Sequence, residues 1–248
     1  IGTLLLAGAT SLPELLTSIN SINQAVPDLA AGNLFGSVML NMFLLAVLDI
    51  LHSKKRILRR SILRHALSGS LATFIIAISV FFIMANVDIK IGWVGLDSIT
   101  IILIYLGAIW LIQQNNSIST PPTQPSPEDL IGVPRLIPSI IGFLVATGLL
   151  IVVTPWLVES SAGIAKITGL EMSFVGTTLL ALVTSLPEIV TTITAIRLGA
   201  SDMAIGNLFG SNMFNIFALG LTDLFYLNGR YLSIIDPSFL LIGMLGLI

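Results

Sequence analysis

A segment of this chain is written twice. Residues 8–15 read GATSLPEL and residues 182–189 read LVTSLPEI; GNLFGS follows each at residues 32–37 and 206–211. One offset of 174 positions links Glu14 to Glu188, Asp28 to Asp202, Asn33 to Asn207, Ser37 to Ser211 and Asn41 to Asn215, without a gap. Each Glu lies in a strongly apolar stretch, where an ionisable side chain is costly and retained for function. A duplicated acidic centre inside membrane-spanning repeats implies an ion-coupled transporter.

Composition supports a membrane setting. Hydrophobic residues make up 55% and charged residues 10%, against roughly 25% charged in soluble domains, and the mean hydropathy is +1.00. Several runs reach the ~20 apolar residues that cross a bilayer as helix. Without cysteine there are no disulfides or thiolate metal sites. The chain opens on Ile1 inside apolar sequence, and further residues are expected upstream.

Eight spans are predicted, at about 1–20, 28–51, 62–85, 91–112, 136–158, 171–197, 203–226 and 231–248. They divide into a first half at 1–112, a proline-rich linker at 113–135 containing TPPTQPSP, and a second half at 136–248. Five crossings separate the two copies of the repeat, so the copies are expected in inverted orientation around a pseudo-twofold axis in the membrane plane. Lys54, Lys55, Arg56, Arg59, Arg60 and Arg64 crowd the loop at 52–65, and Arg135 and Arg197 share its side; Lys90, Lys166 and Arg230 lie opposite. The basic loop and the linker are therefore expected to be cytoplasmic in a multi-pass protein of the cell (inner) membrane.

The chemistry gathers around the two Glu residues. Pro13 and Pro187 directly precede them; proline lacks the N–H that the carbonyl four residues back would accept, so Ala9 and Val183 lose a helical partner and the helix loosens. Broken backbone at membrane depth is tolerated where it is buried or lines a wet cavity. Thr10 and Ser11 fall four and three positions before Glu14, as Thr184 and Ser185 do before Glu188, which predicts one shared helix face. The outcome is two clusters of hard oxygens, suited to Na+, Ca2+ or Mg2+ rather than softer metals.

The GNLFGS segments add to these clusters. Ser37 and Asn41, and Ser211 and Asn215, sit four apart and can give oxygens to a cation or hydrogen-bond a carboxylate. The glycine pairs 32/36 and 206/210 have GxxxG spacing, read as close helix packing or as a local break. Asn33 and Asn207 suit helix bridging or ion contact. Asp28 and Asp202 fit helix N-termini, Asp49 and Asp223 are expected to reach water, and Asp97 has no repeat partner. His52 and His65 flank the basic loop, and Trp93, Trp110 and Trp156 read as interfacial anchors.

These paired GATSLPE/LVTSLPE and GNLFGS motifs, each with Asn four residues on, resemble the two α-repeats of the cation/calcium exchanger superfamily, nearest its prokaryotic sodium/calcium exchanger-like members. The resemblance implies an all-α polytopic fold of ten helices, four holding the ions and two long tilted ones sliding to alternate access. It implies ion contacts from Glu14, Glu188, Thr10, Ser11, Thr184, Ser185, Ser37, Ser211, Asn41 and Asn215, with backbone carbonyls near Ala7 and Ala181. This chain departs from the pattern in carrying Asn at both 41 and 215, where many members have one Asp. It also has Val38 where Asn is common, as at Asn212, and eight spans where ten are expected. The missing two would be the first and last helices, and span 136–158 would be a sliding helix.

The reading is a secondary antiporter, not an enzyme, exchanging Ca2+ against Na+ at a midplane site of two carboxylates and surrounding oxygens. No nucleophile–base constellation or phosphate loop is present, and neither a cofactor nor nucleic acid is implied; the partners are the two ions and the lipid bilayer. Ca2+/H+ exchange through the same Glu pair, a cation channel and a non-transporting Ca2+-binding protein are the alternatives.

Overall fold

The computed structural model describes residues 2–52, 65–119 and 136–247; most of the basic loop and of the proline-rich linker lie outside them. In chain order, α1 (Gly2–Thr10) and α2 (Leu12–Asn23) form a broken helix, followed by α3 (Pro27–His52) and α4 (Ala66–Ala85). A two-residue antiparallel hairpin, β1 (Lys90–Ile91) with β2 (Val94–Gly95), leads into α5 (Leu96–Ser119). After α6 (Leu136–Thr168) comes a second broken helix, in which α7 (Met172–Val175), a π turn at Gly176–Leu180 and α8 (Ala181–Thr184) precede α9 (Leu186–Arg197). Then α10 (Ser201–Thr222), two short 3-10 turns and α11 (Ser238–Leu245) complete the described chain.

Five of these helices, α3, α4, α5, α6 and α10, are long and apolar enough to cross a bilayer, and the pair Met172–Thr184 and Leu186–Arg197, bent by 47°, adds a sixth if counted as one span. Burial separates centre from periphery. In the most apolar 18-residue stretch of α10, 83% of residues are buried, against 6% in α6. An apolar helix left so uncovered by protein belongs against lipid, and α10 against its neighbours. Around α10 the main core joins Phe35, Ile75, Tyr105, Leu208, Met213 and Phe239, drawn from both halves of the chain.

Several boundaries differ from those expected. The span expected at 136–158 continues to Thr168, because Glu159 and Lys166 are exposed on the outer surface of α6 and Pro155 does not end the helix. Trp156 therefore falls within that helix, 64% exposed, and not near its end. The linker starts later than 113, since α5 remains helical to Ser119. Residues 91–95, expected at the start of a span, belong to the hairpin. The last span, expected at 231–248, is an eight-residue helix: Asp236 accepts the Ser238 N–H at 2.7 Å and Pro237 precedes the first turn, so helix starts there.

A buried polar knot closes one end of the bundle. Arg230 Nη2 meets Asp97 Oδ2 at 2.6 Å with both side chains 3% exposed, and Arg230 Nη1 lies 3.7 Å from Asp88. Asp223 is fully buried, where exposure was expected; it accepts the Gly95 N–H at 2.7 Å and the Tyr231 N–H. Burial holds the Tyr231 phenol well above its usual range, so it stays neutral and donates to the Pro27 carbonyl at 3.0 Å. Removing one partner of a buried ion pair strands the other charge, at a cost of about 3–5 kcal/mol. Arg230→Met should therefore lower the unfolding temperature of the detergent-purified protein, whereas Lys90→Met, at an exposed position, should not. Equal melting of the two variants would remove Asp97–Arg230 as a stabilising pair.

Candidate functional site

Both broken helices break at the same residue of the repeat. Ser11 (φ −90°, ψ 8°) separates α1 from α2, and Ser185 (φ −83°, ψ 6°) separates α8 from α9. Proline follows within the first two positions of the new helix, where its missing N–H costs nothing and its fixed φ suits the turn. Glu14 and Glu188 thus stand in first turns of helices, where free N–H groups and the helix dipole favour negative charge. Both are fully buried, and each is reached by the serine at the break before the other.

Each carboxylate is held from two sides. Glu14 Oε1 accepts from Ser185 Oγ at 2.9 Å and from Ser37 Oγ at 3.5 Å. Glu188 Oε1 accepts from Ser11 Oγ at 2.7 Å and from Ser211 Oγ at 3.4 Å. The serine at one break therefore serves the Glu of the other repeat. This corrects the expectation that Ser11 shares a helix face with Glu14: the helix is interrupted at Ser11, so the i to i+3 relation does not apply and the side chain crosses to Glu188.

The remaining expected residues fall around this pair. Thr10 Oγ1 donates to the Ala7 carbonyl at 3.2 Å, and that carbonyl also accepts the Ser11 N–H at 3.0 Å. Thr184 Oγ1 lies 2.7 Å from Asn33 Oδ1 and 3.2 Å from the Ala181 carbonyl, which accepts the Ser185 N–H at 2.9 Å. Asn33 also donates to the Glu14 carbonyl at 3.1 Å, so it bridges helices. Asn41 donates to Asn212 Oδ1 at 3.0 Å, while both polar atoms of buried Asn215 lack a partner among the described residues.

The glycines of GNLFGS serve packing. Both α3 and α10 run unbroken through the motif, which removes the alternative of a local break. A Cβ on Gly32 would come within 2.9 Å of the Gly176 backbone, and one on Gly36 would run into the Thr177 carbonyl. In the other repeat a Cβ on Gly210 would meet Ala7 Cβ at 2.7 Å, the counterpart of Ala181 beside Gly36. The π turn at Gly176–Leu180 lies against Gly32 and Gly36; such turns recur at functional sites.

Among the described residues, several buried oxygens have no hydrogen-bond partner. Glu14 Oε2, Glu188 Oε2 and Asn215 Oδ1 are buried without a partner, as are the hydroxyls of Thr17 and Thr192. Thr17 and Thr192 were not picked out from the sequence, although they fall three and four residues after their Glu, a spacing that places them on its side of the helix. Buried carboxylate oxygens without a donor are expensive, and a cation satisfies them. Among the described residues no three of His, Cys, Asp and Glu come together, so the donor set is two carboxylates with neutral oxygens, suited to hard cations.

Comparison with known proteins gives the family and the fold. The family described as "Sodium/calcium exchanger protein" matches residues 1–113 and 138–248. The inner membrane protein YrbG of Escherichia coli is 29% identical over 239 residues, covering 90% of this chain and 68% of its own length. The sodium/calcium exchanger MaX1 of Methanosarcina acetivorans is 49% identical over 72 residues, 29% of this chain and 21% of that protein. A solved structure of the sodium-calcium exchanger NCX_Mj superposes with a TM-score of 0.59 at 21% identity, covering 99% of this chain and 76% of that one, which shows the shared helical fold. With a family match over nearly all of its length, this multi-pass membrane chain belongs to the sodium/calcium exchanger protein family, whose members are cation antiporters.

Proposed function

We propose that this chain exchanges Ca2+ against Na+, both bound between Glu14 and Glu188. The observation that carries the reading is the pair of buried carboxylates, each held through Oε1 by a serine of the opposite repeat and each with Oε2 unpartnered among the described residues. Two carboxylates neutralise one Ca2+, or are shared among Na+ ions with help from the hydroxyls of Thr10, Ser11, Thr184, Ser185, Ser37 and Ser211, the amide oxygens of Asn41 and Asn215 and the carbonyls of Ala7 and Ala181. Because both ions need the same carboxylates, occupancy is mutually exclusive and the fluxes are coupled.

Coupling also requires that the empty carrier switch slowly. Two bare carboxylates are costly to carry through a dehydrated intermediate, and a loaded site is far less so. The repeats would be inverted, with one bundle rocking against the other to alternate access and α6, the least covered of the five long apolar helices, sliding along the rest. The basic loop at 52–65 and the linker at 113–135 would face the cytoplasm.

Purified protein in liposomes tests the counter-ion. An outward Na+ gradient should drive uptake of radioactive Ca2+ at least about tenfold above leak, and a pH gradient of equal size should not. Uptake driven by the pH gradient alone would replace Na+ by H+, and single-channel currents in a planar bilayer would replace exchange by conduction.

A further inference from the structure

The two halves of the site are not equal, and the inequality lies at a position to which the proposed ion contacts give no role. Asn41 on α3 is one turn beyond Ser37, whose hydroxyl reaches Glu14; Asn212 on α10 adjoins Ser211, whose hydroxyl reaches Glu188. Asn41 Nδ2 donates to Asn212 Oδ1 at 3.0 Å, and both residues are 1% exposed or less. The bond therefore spans the two GNLFGS helices between the residues that support the carboxylates. Its direction matters. A primary amide offers a cation its oxygen only, since its NH2 carries donors and no acceptor. An Asn41 amide tied through Nδ2 to α10 keeps its oxygen, the other prong of the plane, out of that bond.

The counterpart of Asn212 in the first repeat, 174 positions earlier, is Val38. Valine has no acceptor, and Val38 is fully buried in the main core. The asparagine it would serve by symmetry, Asn215, has both Nδ2 and Oδ1 unpartnered among the described residues, although it is as buried as Asn41. The Nδ2 of Asn212 is likewise without a partner, so only its oxygen is in use.

We propose that Asn212 is a positioning residue, whose side-chain oxygen orients the Asn41 amide toward the bound cation, and that Val38 leaves Asn215 unbraced. The inference rests on the assignment of the cation to the space between Glu14 and Glu188. Asn41 then binds as a preorganised ligand, whereas Asn215 must give up rotational freedom on binding.

Equilibrium binding of radioactive Ca2+ to the purified full chain reads this directly. Loss of one oriented ligand is worth about tenfold in affinity, so N41A and N212V should each weaken binding by about that factor. The double variant N41A/N212V should bind no more weakly than N41A alone, because Asn212 acts through Asn41. N212D keeps the acceptor oxygen and should bind Ca2+ at least as tightly as the native protein. N215A should lose less than N41A. N212S, which shortens the side chain, stands in for N212V if the valine variant is not monodisperse, with the same expected loss. Native affinity in N212V or N212S, losses that multiply in the double variant, or weakened binding in N212D would each overturn the role of Asn212; an N215A loss equal to that of N41A would overturn the asymmetry. Should the native protein bind Ca2+ with this coupling yet show no Na+-driven uptake, the counter-ion assignment falls and the positioning role stands.

Discussion

Glu14→Gln and Glu188→Gln each abolish Na+-driven Ca2+ uptake, with a fall of at least about a hundredfold, the scale expected when one partner of a buried charge interaction is removed. Folding should survive. Glutamine keeps the length and one oxygen of the side chain, so Ser185 and Ser37, or Ser11 and Ser211, retain their acceptor. The atom that changes is Oε2, which has no hydrogen-bond partner among the described residues in either Glu. The substitution therefore costs the protein almost nothing and the cation a ligand and a charge. The check is uptake of radioactive Ca2+ into liposomes alongside gel filtration and thermal unfolding of the same preparations. A native melting temperature with uptake within twofold of native, in either variant, would dissociate that Glu from transport.

How far the sequence reaches can be followed through Ser11. Duplication exposed the residue, the proline two positions on foretold the break, and the apolar surroundings of Glu14 marked the site. What it could not convey was direction, because the expected shared face assumed a continuous helix. Once the backbone leaves helical geometry at Ser11, the hydroxyl crosses to Glu188. The same limit applies to Asp223: a charged residue near the end of an apolar run reads as one reaching water, and only the folded chain reveals that Gly95 of the hairpin donates to it. Helix lengths err for a related reason. Glu159 and Lys166 look like the end of a span, but charges on an outer helix surface leave the backbone hydrogen bonds untouched, and α6 continues to Thr168. Ladder length in a membrane helix is thus poorly read from charge, whereas a repeated proline and a repeated acid fix a break closely.

The other large effect concerns backbone contact and not charge. Gly36→Ala should yield little or no monodisperse protein, whereas Gly8→Ala should purify as the native chain does. A Cβ on Gly8 would meet Phe214 at 3.7 Å, an ordinary contact; one on Gly36 would meet the Thr177 carbonyl, Thr177 Cα at 2.8 Å and Ala181 Cβ at 2.7 Å. Overpacking a core costs about 1–3 kcal/mol when side chains can adjust, but here most of the obstruction is main chain of the π turn leading into α8. Gly210→Ala separates the two kinds of obstruction, because its nearest neighbour is Ala7 Cβ at 2.7 Å and the Thr3 carbonyl is 3.9 Å away. The damage at Gly210 should accordingly be repaired by Ala7→Gly, which removes the offending methyl. Ala181→Gly should fail to repair Gly36→Ala, since the Thr177 backbone stays in place. Gel filtration and melting temperature of the single and paired variants decide the matter. Rescue at both positions would mean that the contact between α3 and the π turn yields as easily as a side chain, and the close helix approach that carries Ser37 toward Glu14 would then need another cause.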